Sequence, residues 1–227
     1  LVNGRKRLGA VILTRDVSEV HRHEQELMTK DATIREIHHR VKNNLQTVSA
    51  LLRLQSRRSS EEAVKVALAE AERRVQAIAT VHAALSQNVD ESVDFDEVAR
   101  TIVRMAGAIA STDHAVEVIT TGSFGTIQAD QAQALATVLN ELVANSVEHG
   151  LADRDGLIEV RAERLGSSMT VTVADNGVGF VPGTPMSGLG TQIVHQMVRG
   201  ELKGSIEWAP REGGGTLVTL HANLDPA

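Results

Sequence analysis

Two adjacent histidines offer this chain its first reactive group. His38 and His39 lie in residues 35–46, R-E-I-H-H-R-V-K-N-N-L-Q, within a pattern of apolar side chains at Ile34, Ile37, Val41, Leu45, Val48 and Leu52. That spacing predicts a helix packing one stripe against a partner. At about 100° per residue, His38 falls about 55° from the middle of the stripe and His39 about 155° away. His38 is therefore expected part-buried on the shoulder. His39 is expected out in solvent, with Asn43 on the same outer face. An imidazole presented this way can donate a proton, bind a metal or attack as a nucleophile. The metal option lacks partners. The chain has no cysteine, and the positions four residues either side of His39 are Arg35 and Asn43.

Three stretches further on could line a pocket. In N-E-L-V-A-N and the residues after it, Glu141, Asn145 and His149 are spaced i, i+4, i+8. They flank a helical face made of Leu135, Val138, Leu139, Leu142 and Val143, which places them near its rim. A carboxylate and a carboxamide there can orient an attacking group and ligate Mg²⁺ through oxygen. Next, D-N-G-V-G at residues 175–179 follows an apolar strand pattern. Its glycines, Gly177 and Gly179, permit close backbone approach, and Asp175 can accept a hydrogen bond from a ligand amino group. Finally, S-G-L-G-T at residues 187–191, with Gly188 and Gly190, opens a helix whose free N–H groups can hold phosphate. Singly, these read as a solvated flank, a turn and a helix start. Their order on these elements marks a pocket.

The elements that must position these residues fall into two groups. Residues 7–14 read as a β-branched strand, stopped by Arg15-Asp16. A lone strand is not stable, and the chain starts with Leu in mid-pattern, so an upstream domain is expected. From residue 17 a helical period runs about 40 residues without Gly or Pro. Arg57 to Glu62 is the break, with Ser59 and Glu62 at capping-box spacing for a second helix. That helix carries Val64, Leu68, Ala71, Val75, Ile78 and Leu85 and ends near residue 87. Two such helices form an antiparallel hairpin. Pairing two copies as a four-helix bundle would cover its stripe, so a homodimer through residues 34–85 is expected.

After a polar link at residues 88–94 the pattern changes to helices at 96–110, 130–149 and 190–199, with strands at 116–121, 157–163, 169–174, 205–208 and 216–221. The fold class is thus multi-domain, α then α+β: a helical hairpin followed by an α/β sandwich with helices on one face of a mixed sheet. The expected divisions are 1–16, 17–89 and 90–227. A net charge of −6 gives no broad footprint for nucleic acid or anionic membrane. One Trp, three Phe and no Tyr leave little for base stacking. No apolar run approaches 18 residues, and the absence of cysteine fits a cytoplasmic setting.

Taken together, E-L-x-x-N, D-N-G-V-G, G-L-G and the final G-G-G-T resemble the nucleotide boxes of the ATPase domain shared by sensor histidine kinases, gyrase and Hsp90, the Bergerat-type sandwich. H-H-R-V-K-N-N-L-Q resembles the phosphoacceptor box of the HisKA_2/HWE branch of histidine kinases, and G-A-V-I-L-T-R-D-V-S-E the end of a PAS sensor domain. The resemblance covers nearly all of residues 9–224 and extends to actinobacterial cytosolic kinases of that branch. It implies that His39 is the phosphoacceptor and that Glu141 matches the family's acid. It further implies that Asn145 helps hold Mg²⁺ on ATP, with His149 beside it. Asp175 would bind the adenine amino group between Gly177 and Gly179; Gly188 and Gly190 would line the phosphates, and Thr216 would lie near the adenine end. The implied partners are a second copy and a response-regulator receiver domain. Arg40 stands where the commoner branch has an acid after the histidine, leaving Glu36 as a candidate to activate His39. The competing reading is a nucleotide-binding signalling scaffold, a pseudokinase that forms no phosphohistidine.

Overall fold

The computed structural model describes residues 2–3, 6–7, 18–86, 92–107, 114–152, 154–180 and 188–225. At the N-terminus, β1 (Val2–Asn3) pairs antiparallel with β2 (Lys6–Arg7). The strand expected at residues 7–14 lies, beyond Arg7, outside the described residues.

Helix α1 (Ser18–Arg58) runs 41 residues, as the absence of Gly and Pro allows, and ends on Arg57 and Arg58, where cations suit the negative end of the helix dipole. Helix α2 (Glu62–Leu85) returns alongside it. The expected capping box does not form: Glu61 is the N-cap, without a side-chain cap. Ser59 instead accepts the Glu61 amide on its hydroxyl at 3.2 Å, which shapes the turn.

The second unit comprises β3 (Ser92–Asp94), α3 (Phe95–Gly107), β4 (Val116–Gly122), β5 (Thr126–Gln128), α4 (Ala129–Asn145), β6 (Gly156–Leu165), β7 (Ser168–Asp175), α5 (Leu189–Gly200), β8 (Ser205–Pro210) and β9 (Thr216–Asn223). Its five-stranded sheet has the order β4-β6-β7-β9-β8, with β4 parallel to β6 and the other pairs antiparallel. The register sets Val160 against Val173 and Val173 against Val218. One face is therefore a continuous apolar surface, with Ile158, Ala162, Met169, Val171 and Leu220 also buried. Leu135, Leu139 and Val143 of α4, spaced i, i+4, i+8, join the same core, as do Ile102 of α3 and Val194 and Val198 of α5. Arg161, Glu163 and His221 stay exposed on the opposite face.

Two features depart from the sequence pattern, the first a short strand pairing. β3 joins β5 antiparallel, so residues 92–94 of the expected polar link are fixed structure; residues 87–91 lie outside the described residues. The second departure concerns α2. Ala77, Val81 and Leu85 are buried, and the last two belong to the same core as Phe95 and Leu135. The C-terminal half of α2 thus packs on the α/β unit, and Leu85 is not free for the expected dimer seam. On the hairpin, Ile37, Val48, Leu51, Leu54, Val64 and Val66 remain exposed.

Candidate active site

A cavity of about 290 Å³ lies where α4, the loop after β7, the start of α5, β8 and β9 meet α2. Every pocket residue expected from the sequence except Gly177 lines it: Glu141, Asn145, His149, Asp175, Gly179, Gly188, Gly190 and Thr216. Gly177 stands immediately behind.

Asp175 anchors the site. It is buried at the end of β7, and its Oδ1 accepts the amide of Gly177 at 2.9 Å and that of Thr216 at 3.2 Å. Oδ2 has no hydrogen-bond partner among the described residues. The glycines around it are required by contact. A Cβ at Gly177 would overlap the carbonyl oxygen of Gly150, and one at Gly215 (φ +98°) would overlap the carbonyl oxygen of Asp175. Gly179 (φ +71°) occupies the left-handed region, which side chains other than glycine rarely adopt.

The helix carrying Glu141 and Asn145 does not continue as α-helix to His149. A π-helical turn, Ser146–Gly150, follows Asn145, and Leu151 donates its amide to Ser146 at 2.9 Å, five residues back. The wider turn takes His149 off the i+8 line and into an exposed position, still on the cavity wall. Glu141 also departs from its expected rim position. It is 7% exposed because Arg74 of α2 covers it: Arg74 Nε and Nη2 donate to the two carboxylate oxygens at 2.8 and 2.9 Å. This bidentate pairing holds the guanidinium's pKa above its usual value. Arg73 forms a second ion pair across the same junction, with Glu148, at 2.9 Å. At α5, Gly188 is the N-cap, and Gly190 lies so near Glu141 Oε2 that a Cβ would overlap it.

His39 is exposed on α1. His38 is part-buried, and its Nδ1 lies 3.1 Å from Nδ1 of His82 on α2. Burial, then the neighbouring His38, lowers the His82 pKa. Glu36 pairs with Arg40 at 2.8 Å, so the candidate activator of His39 is engaged elsewhere.

Sequence reasoning did not find Arg73, Arg74, Glu148 or His82. Arg74 and Glu141 are 67 positions apart on elements with unrelated patterns. The available signal was compositional: residues 129–150 and 175–192 contain neither Lys nor Arg.

A long helical hairpin docked on a one-sided α/β sandwich thus frames a glycine-walled cavity around a buried aspartate. Residues 36–109 match a family model described as histidine kinase, and residues 130–226 one described as histidine kinase-, DNA gyrase B- and HSP90-like ATPase. The chain is 47% identical to the sensor histidine kinase PdtaS of Mycolicibacterium smegmatis, over 99% of this chain and 46% of the relative. It is 46% identical to PdtaS of Mycobacterium tuberculosis, over 97% of this chain and 45% of the relative. The chain thus spans about half the length of these curated relatives. In fold it is similar to the histidine kinase domain of the Erythrobacter litoralis EL346 blue-light-activated histidine kinase, with a TM-score of 0.62 and 22% identity, covering 88% of this chain and 96% of that one. The chain belongs to the histidine kinases. Among the described residues, no helix is long and apolar enough to cross a membrane.

Proposed function

We propose that this chain is the ATP-dependent, autophosphorylating core of a two-component system, with His39 as phosphoacceptor and the cavity beside α4 as the ATP site. One observation carries the reading: the hairpin that holds the His39 imidazole in solvent also packs, through α2, against a cavity whose buried carboxylate keeps one oxygen unused. Asp175 Oδ2 suits the adenine amino group, with Gly177, Gly179 and Thr216 forming that end. The amides at Gly188 and Gly190, at the start of α5, suit the phosphates. Mg²⁺ supplies charge neutralisation on the phosphates when bound. Asn145, half-exposed in the wall, offers it an oxygen ligand, and His149 borders that end. Among the described residues no group of three or more His, Cys, Asp or Glu side chains is arranged so that it could hold a metal ion. That fits an ion arriving with the nucleotide, held by few protein ligands.

In the reaction a ring nitrogen of His39 attacks the γ-phosphorus. The bond to the bridging oxygen breaks with its electrons going to ADP, and the imidazole gives up its proton to the solvent to which His39 is exposed. Glu141 lines the cavity and is the candidate to orient the imidazole, a role that requires it to give up at least one of its two hydrogen bonds from Arg74. His38 touches His82, so His39 lies level with that part of α2, whereas the cavity meets α2 at Arg74. Eight helical residues separate the two levels, about 12 Å. Transfer therefore requires the ATP-binding unit, or a partner's hairpin, to travel on that scale. The exposed side chains of Ile37, Val48 and Leu51 favour a homodimer through the hairpin. The phosphoryl group then passes to an aspartate on a response-regulator receiver domain, in the cytoplasm.

Incubation with [γ-³²P]ATP and Mg²⁺ tests this reading. Acid-labile, base-stable label is expected on the chain and on His38→Gln, and none on His39→Gln. Label that survives in His39→Gln, or bound ATP without label, contradicts it; the latter outcome favours the scaffold reading.

A further inference from the structure

The ATP site proposed above has to hold several negative charges, yet its own unit offers no fixed cation for them. The α4 stretch, residues 129–150, and the loop and α5 stretch, residues 175–192, contain no Lys or Arg. The cavity wall does include four acidic residues, Glu70, Glu141, Glu148 and Asp175. Among the described residues that line it, the Lys and Arg side chains are Arg73 and Arg74, and both come from α2 of the hairpin.

Arg74 is placed and prepared for a phosphate. Its side chain is 14% exposed, so its charge is little screened by water. Nε and Nη2 are committed to Glu141, and Nη2 lies 3.4 Å from Glu70; Nη1 has no hydrogen-bond partner among the described residues. Glu141 thus fixes the plane of the guanidinium and leaves one amino group over. A Cβ built on Gly190 would lie 3.4 Å from Arg74 Nη2, so the group sits at the start of α5, the phosphate end. It also enters from the hairpin side, the side from which an acceptor imidazole must come. Arginine's planar fork is suited to phosphoryl oxygens.

We propose that Arg74 is a ligand of the terminal phosphate of ATP, so that the nucleotide site is completed by the hairpin and not by the ATP-binding unit alone. The proposal rests on the ATP reading of the cavity. Because Arg74 rides on α2, its contact exists only when the two units are docked, and ATP then favours docking more than ADP does.

The test is calorimetric titration of the whole chain with Mg·ATP and with Mg·ADP, for the unchanged chain, Arg74→Gln, Arg74→Lys and Arg53→Gln. Arg53 pairs with Glu72 on the exposed part of the hairpin and controls for loss of a distant cation. The informative quantity is the ratio of ADP to ATP dissociation constants, which cancels any loss of folded protein. One charge-assisted hydrogen bond corresponds to about a 10-fold or larger change. Arg74→Gln is expected to lower the ratio by about that factor, Arg74→Lys by less, and Arg53→Gln not at all. An unchanged ratio in Arg74→Gln overturns the proposal while leaving the ATP site standing. So does an equal fall in Arg53→Gln. Failure of the unchanged chain to bind either nucleotide overturns both readings.

Discussion

Replacing Asp175 by Asn separates the two tasks given to that side chain. Oδ1 accepts two main-chain amides, from Gly177 and Thr216, and is part of the fold. Oδ2 makes no hydrogen bond among the described residues and is assigned to the adenine amino group. Asp175→Asn keeps an acceptor for the amides and turns the ligand-facing atom into a donor. Folding stability should then change by no more than about 1 kcal/mol. ATP loses a hydrogen bond to a charged group and meets a second donor instead. At about 1.5–3 kcal/mol this is about a 10- to 150-fold rise in the dissociation constant. Guanine presents an acceptor where adenine presents its amino group, so the same change should improve GTP relative to ATP. Asp175→Ala, in contrast, leaves both amides without an acceptor and should cost about 1–3 kcal/mol for the buried Gly177 amide alone. Urea unfolding measures the stability and calorimetric titration the affinities. ATP binding to Asp175→Asn within about twofold of the unchanged chain would refute the adenine assignment.

Further expectations concern the frame around the site. Gly177→Ala forces a Cβ onto the Gly150 carbonyl oxygen, where only backbone could yield; a loss of about 1–3 kcal/mol in urea unfolding is expected, with weakened nucleotide binding. Leu85→Ala removes a fully buried side chain from the core joining α2 to the sheet, and should cost about 2–5 kcal/mol by the same measurement. His82 has its pKa lowered by burial and by His38, so the unfolded chain binds its proton more readily than the folded one. Stability should therefore fall as pH drops below the usual histidine value of 6.5, and the slope should flatten in His82→Gln when unfolding is followed from pH 7.5 to about 5.5. Leu51→Glu places a charge on the exposed apolar face of α1 and should shift sedimentation from dimer towards monomer; an unchanged dimer would move the interface elsewhere.

What could be read from the sequence follows from how local each signal is. The uninterrupted period of α1, the alternation in β6, β7 and β9, and the outward side of His39 are properties of neighbours in sequence, and the structure has all of them. The π-helical turn after Asn145 was hidden, because Ser146–Gly150 keeps an α-like pattern while its hydrogen bonds lengthen by one residue. The burial of Ala77, Val81 and Leu85 against α4 was also hidden. A helix stripe says that it is covered, not by what. Arg74 over Glu141 is the plainest case. Periodicity placed Glu141 at a rim, but only the docking of two units decides that a guanidinium covers it.

The central claim is that His39 carries the phosphoryl group. It is tested most directly by incubating the unchanged chain with ATP and Mg²⁺ and keeping the product at neutral to basic pH. Peptide mass spectrometry with electron-transfer fragmentation then locates the added phosphate. The account predicts a single phosphorylated position, His39, on a peptide in which His38 is unmodified. Phosphate on His38, or on a serine or threonine of the chain, would contradict it.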